Sequence, residues 1–242
     1  MSTPERADDA RTSALVIAVD GPSGSGKSSV SREVARRLGL AYLDTGAMYR
    51  ALTWWCLDQG VDLHDGAATA AAGERLPLLI TTDPFDLRIE VAGTEVSEQI
   101  RTTGVSERVS LVATNLAVRE QMRVRQRDLI AADPMGTVAE GRDITTVVAP
   151  DAAVRVLLTA TEQTRLERRA RELHGHADEQ AMAATHDQVV RRDRDDSTVS
   201  QFASAADGVV TIDSSTLGFE QVVEALLRLV AERTGRRPVM TP

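Results

Sequence analysis

Five short runs rich in aliphatic and β-branched residues punctuate the chain, at residues 15–20, 40–44, 136–140, 153–160 and 208–213. Runs of this length with little polar alternation predict strands buried on both faces, as in a parallel sheet. Between them apolar positions recur at helical spacing, over residues 28–38, 48–59, 161–173 and 218–233. Strand followed by helix, repeated along a chain, predicts an α/β domain of three layers: a five-stranded parallel sheet with helices on both faces.

The rhythm breaks after the second run. Leu78-Leu-Ile-Thr-Thr, Leu87-Arg-Ile-Glu-Val and Thr94-Glu-Val are short alternating stretches separated by Asp-Pro and Ala-Gly turns. They predict a small inserted antiparallel unit over residues 61–100, leading into an Arg-rich helical stretch over 102–132. A second polar interval, residues 165–203, carries Arg165, Arg168, Arg169, Arg171, Arg191, Arg192 and Arg194 and reads as a mobile lid. The core domain is therefore expected over residues 14–60 and 133–234, with the insertion at 61–132 and disordered tails at 1–13 and 235–242.

Composition narrows the classes. With 242 residues, 42% hydrophobic and 26% charged, the chain is neither fibrous nor wholly disordered and is long enough for a substantial core. No apolar window is long enough to span a membrane and the first residues lack a basic start followed by an apolar run, so a cytoplasmic protein acting as a monomer is expected. The net charge of −8, from 28 basic and 36 acidic residues, argues against a broad footprint for nucleic acid or membrane. Any anionic partner must be gripped locally. Cys56 is the single cysteine and is expected in the core, and His174-Gly-His176 reads as ordinary lid surface. Of the 28 basic residues one is a lysine, Lys27.

That lysine sits in Gly21-Pro-Ser-Gly-Ser-Gly-Lys-Ser28, which fits G-x-x-x-x-G-K-[ST] directly after a strand pattern and before a helix pattern. In such a loop successive backbone N–H groups point into one concavity, the helix N-terminus adds positive potential, the lysine reaches the terminal phosphates and the hydroxyl supplies an oxygen to Mg²⁺. Gly21, Pro22, Ser23, Gly24, Ser25, Gly26, Lys27, Ser28 and Ser29 are thus candidates for holding ATP, with Ser28 on the metal. Three further constellations fall where an α/β sheet presents its ligands, or on the lid. Asp44-Thr-Gly-Ala-Met-Tyr-Arg50 closes the second strand, Glu140-Gly-Arg-Asp143 closes the third, and Arg191-Arg-Asp-Arg-Asp-Asp196 lies in the lid.

Together these stretches, with Val96-Ser-Glu-Gln-Ile-Arg-Thr and Val118-Arg-Glu ahead of Arg125-Gln-Arg, resemble the bacterial cytidylate kinase family of P-loop nucleoside monophosphate kinases, from about Val16 to the final helix. The resemblance implies that Arg50 and Arg142 hold the phosphate of CMP or dCMP. It implies that Thr45, Arg119 and Asp143 read cytosine, and that Ser110, Arg192 and Asp196 lie near the sugar and bound phosphates. Lys27, Arg142 and Arg192 would act on the transferring phosphoryl group. The monophosphate already offers an anionic nucleophile, so no general base is required. Other acceptors on the same fold, and a nucleotide-hydrolysing switch or motor, are the rival readings. A switch would need a second lysine in its guanine-reading element. Thr145-Thr146 replaces a family Gly-Thr, and Val199 stands where the resemblance leads one to expect an arginine on the phosphates.

Overall fold

The computed structural model describes residues 14–239, so the expected tail over 1–13 lies outside the described residues, as do residues 240–242. Strand β1 (Leu15–Asp20) leads through the phosphate loop into α1 (Lys27–Leu38), and β2 (Ala41–Asp44) runs directly into α2 (Thr45–Asp58). The insertion holds α3 (Gly66–Glu74), β3 (Leu78–Ile80), β4 (Ile89–Val91), β5 (Thr94–Glu95), a 3₁₀ turn at Gln99–Arg101, α4 (Thr103–Ser106), α5 (Val109–Ala113) and α6 (Leu116–Ala132). Strand β6 (Gly136–Gly141), a single π-turn at Ile144–Val148, β7 (Val154–Thr159), α7 (Glu162–His174), α8 (Glu179–Ser197), β8 (Val210–Asp213) and α9 (Phe219–Thr234) complete the order.

Each of the five apolar runs contains one strand of a single sheet, ordered β2-β6-β1-β7-β8 and parallel throughout. Alternate strand residues feed opposite faces. Ala18, Leu43 and Ala139 pack with Met48, Leu52 and Met122 from α2 and α6. Ile17, Val19, Tyr42 and Val138 pack with Val34, Leu38, Val223 and Leu226 from α1 and α9. The predicted three-layer architecture is the observed one. Its register sets Asp20 opposite Gly141 and Asp44 opposite Glu140, so three strand ends finish level at one edge of the sheet.

The insertion differs from the sequence expectation in detail. Residues 78–95 form the antiparallel sheet β3-β4-β5, but residues 66–74 of the same stretch are helical. Its Ala-rich sequence has no alternation to favour a strand, and the Asp65 carboxylate caps it by accepting from the Ala67 and Ala68 amides. The expected helical stretch over 102–132 is split because the Asn115 side chain accepts from the Ala117 and Val118 amides, starting a new helix. Arg125 then ties α6 to the end of α3, donating to the carbonyls of Leu76 at 3.0 Å and Gly73 at 3.1 Å. The polar interval read as a lid forms α7 and α8. Residues 235–239 carry no regular structure, and the Val239 amide donates to the Arg37 carbonyl at 2.7 Å. Among the described residues no helix is long and apolar enough to cross a membrane.

Candidate active site

A cavity of about 1040 Å³ opens at the level strand ends and runs between the phosphate loop, the insertion and the lid. Gly26 enters α1 at φ 89°, a conformation that a side chain would strain, and it delivers Lys27 and Ser28 to the first turn. The Lys27 Nζ lies 3.9 Å from Glu140 Oε2, and Ser28 Oγ donates to Glu140 Oε1 at 2.6 Å. Burial, together with the nearby Asp44, holds the Glu140 carboxyl above the usual carboxylate range, against the pull of Lys27. Burial likewise lowers Lys27, opposed by Glu140 and reinforced by Arg142 and Arg192.

The opposite wall carries guanidinium groups. Asp44 caps α2 by accepting from the Ala47 amide at 2.8 Å, and its other oxygen takes Arg50 at 2.9 Å and Arg101 at 3.4 Å. Arg50 and Arg101 hold Asp44 below the ordinary carboxylate range despite its burial. Arg142 contacts Asp193 at 2.7 Å and Asp196 at 2.8 Å and stacks over the Phe202 ring at 4.5 Å. Arg192 lies 3.6 Å from Asp196, with burial and then Arg142 pushing it down to about 10, so it remains a cation at neutral pH. The Nε atoms of Arg50 and Arg192 are buried in this wall with no hydrogen-bond partner.

A third group sits deeper. Arg119 pairs with Asp143 and donates to Ser200 Oγ at 3.0 Å and to the Ala113 carbonyl at 3.1 Å. Burial raises Asp143 while Arg119 opposes it. Thr45 Oγ1 donates to the Glu140 carbonyl at 2.8 Å. A Cβ on Gly141 would come within 2.5 Å of that hydroxyl, so only glycine lets the two strand ends close together. Ser110 Oγ reaches Asp196 at 3.4 Å.

A phosphate-loop motif and buried cations therefore share one cavity. The family model for cytidylate kinase matches residues 17–232. The chain belongs to the cytidylate kinase family. The cytidylate kinase of Cutibacterium acnes is 50% identical over 220 residues, covering 90% of this chain and 97% of its own. That of Nocardia farcinica is 49% identical, covering 90% and 94%, and that of Streptomyces avermitilis 44%, covering 91% and 94%. The kinase accordingly places Lys27, Ser28, Thr45, Arg50, Arg119, Arg142, Arg192 and Asp196 around one cavity, with Ser110 and Asp143 a step behind, each held to a residue that lines it.

Several residues of this kinase site appeared in the sequence motifs or the lid without an assigned role. Glu140 and Asp44 lie opposite each other at the carboxyl ends of the paired strands β6 and β2, and a buried acid at a strand's carboxyl end was the available signal. Asp193 accepts from the Ser23 amide of the phosphate loop at 3.2 Å and pairs with both Arg142 and Arg165. Arg168 donates to the Ser25 carbonyl at 3.1 Å. Those two lid arginines are hidden in a sequence whose cations are almost all arginine. Val199 follows the end of α8, half-buried, and does not line the cavity, whereas Ser200 does. Position 199, expected on the phosphates, lies two residues beyond the end of α8 at Ser197 and is not part of the cavity wall. Cys56 is buried in the core, and His176 is exposed beside Asp178 at 3.1 Å; the side chain of His174 lies outside the described set.

Proposed function

We propose that this kinase moves the γ-phosphoryl group of ATP to the phosphate of CMP or dCMP, giving ADP and CDP or dCDP. The observation that carries the acceptor side is the pair of buried guanidiniums of Arg50 and Arg192 on the cavity that the phosphate loop also lines: neither Nε makes a hydrogen bond, and that of Arg192 has only the ion pair with Asp196 at 3.6 Å. Buried donors left unpaired are costly, and an anionic acceptor satisfies them. ATP phosphates would lie in the loop formed by Gly21, Pro22, Ser23, Gly24, Ser25, Gly26 and Ser29, with Lys27 and Ser28 at the transferring end.

Ser28 and Glu140 fit Mg²⁺, since both offer hard oxygen donors and the burial that raises Glu140 is relieved by a divalent cation. When bound, the ion neutralises charge on the phosphates. The chain's own part is alignment. Arg50 and Arg142 orient the CMP phosphate so that its anionic oxygen attacks in line, while Lys27, Arg142 and Arg192 stabilise charge on the equatorial oxygens and α7 and α8 exclude water. The Thr45 hydroxyl proton is committed to Glu140, which leaves its lone pairs to accept from the cytosine N4 amino group. Uracil presents a carbonyl there and is rejected, with Arg119, oriented by Asp143, facing the N3 or O2 acceptors. Ser110 and Asp196 then sit near the sugar. A coupled ADP-release assay across CMP, dCMP, UMP, AMP and GMP tests the reading: CMP and dCMP should be the best acceptors, and a purine monophosphate ahead of both would overturn it.

A further inference from the structure

Arg142 and Asp143 stand on a turn too short to hold itself. Ile144–Val148 is one π-turn, with the Val148 amide bonded to the Asp143 carbonyl at 3.1 Å and the Ala149 amide to that of Ile144 at 2.8 Å. A single turn gains few bonds for the backbone freedom it loses, and its end amides and carbonyls need outside partners. They have them here, with the polarity the turn's dipole requires. At the amino end the buried Asp20 carboxylate accepts from the Ile144 amide at 2.8 Å, the Thr145 amide at 2.8 Å and the Thr145 hydroxyl at 2.6 Å. At the carboxyl end Arg127 from α6 donates to the Val148 carbonyl at 2.9 Å and the Val147 carbonyl at 2.7 Å. Arg155 from β7 adds a bond to the Thr145 carbonyl at 3.2 Å.

Asp20 is also the last residue of β1, immediately before the phosphate loop. The next amide, Gly21, donates to the Gly141 carbonyl at 3.3 Å. One residue therefore joins the donor loop to the turn that carries the acceptor-facing arginine. Thr145, which replaces the family's glycine, supplies two of its three hydrogen bonds, one of them from the hydroxyl that a glycine lacks.

We propose that Asp20, Thr145 and Arg127 form a positioning device that fixes Arg142 and Asp143 on the acceptor nucleotide relative to the phosphate loop. The proposal rests on the acceptor-site reading above. None of the three residues touches the reacting atoms in this arrangement, so their loss should act on acceptor use rather than on ATP.

The test is steady-state kinetics on Thr145→Val, Thr145→Ser and Arg127→Gln, with melting temperature measured alongside. Thr145→Val should raise KM for CMP about tenfold, the scale of one hydrogen bond to a charged group, while KM for ATP stays within about twofold. The preference for CMP over UMP should fall with it, and Thr145→Ser should restore both. Arg127→Gln should reproduce the split from the other end of the turn. If KM for both substrates rises together, or only the melting temperature falls, the device is structural and the proposal is overturned. Wild-type enzyme that phosphorylates CMP alongside unaffected variants refutes this proposal alone, whereas wild-type enzyme that ignores CMP refutes the acceptor reading.

Discussion

At the residue scale, buried charge is the dominant fact. Lys27 is held between an acid and two arginines, and its role on the transferring phosphoryl group predicts that Lys27→Ala lowers kcat by about 10²–10³-fold, roughly 3–4 kcal/mol, the scale for one preorganised donor. Near-wild-type turnover would remove the phosphate-loop assignment. Arg119 and Asp143 are assigned to the base, so Asp143→Asn should narrow the CMP to UMP ratio more than it alters KM for ATP. Arg119→Ala should do the same and also lower the melting temperature, because it strands a buried carboxylate. Equal losses on every monophosphate would show that neither residue reads the base. These two residues were legible as motif members, but their mutual pairing was not, since 24 positions separate them in the chain.

At the element scale, the lid is held to the core by carboxylates. Asp193 on α8 binds Arg142, Arg165 on α7 and the Ser23 amide, so one side chain joins α7 and α8 to the residue after β6 and to the phosphate loop. The helical periodicity predicted α7 but left the α8 segment as a polar lid, and it could not show which of their arginines turn inward. Val199 illustrates the limit. A motif fixes residue order, while the fold decides which residues face the cavity, and Ser200 lines it where Val199 does not. Val199→Arg should therefore leave kcat/KM for CMP within about twofold of wild type, well short of the gain of roughly 1.5–3 kcal/mol that a new charged hydrogen bond to phosphate would bring. A large, salt-sensitive increase would restore the motif register.

At the scale of the whole molecule, stability should carry a pH dependence set by acids buried at the sheet edge. Asp20 is raised to about 6 by burial, which outweighs its hydrogen bonds from Thr145 and Ile144 and is reinforced by nearby Asp143. A carboxyl whose folded value exceeds its unfolded value favours the fold below the unfolded value, about 4, and loses that contribution as pH rises through about 6. The stability of wild type relative to Asp20→Asn should fall by about 3 kcal/mol between pH 3.5 and 7 in urea unfolding, since the variant cannot ionise there. A flat difference across that window would show that Asp20 titrates normally. Glu140 and Asp143 shift the same way, whereas Asp44 and Asp193 shift oppositely and cancel between wild type and variant. The sequence alone determined the strand and helix order, the phosphate loop and the family of motifs at the strand ends, because hydrophobic period and local loop chemistry are written in consecutive residues. Only the tertiary structure decided which carboxylate neutralises which arginine, that Glu140 meets Ser28, and that Asp20 anchors the turn bearing Arg142, because those contacts join separate elements, the last two across more than a hundred positions, and depend on sheet order and register.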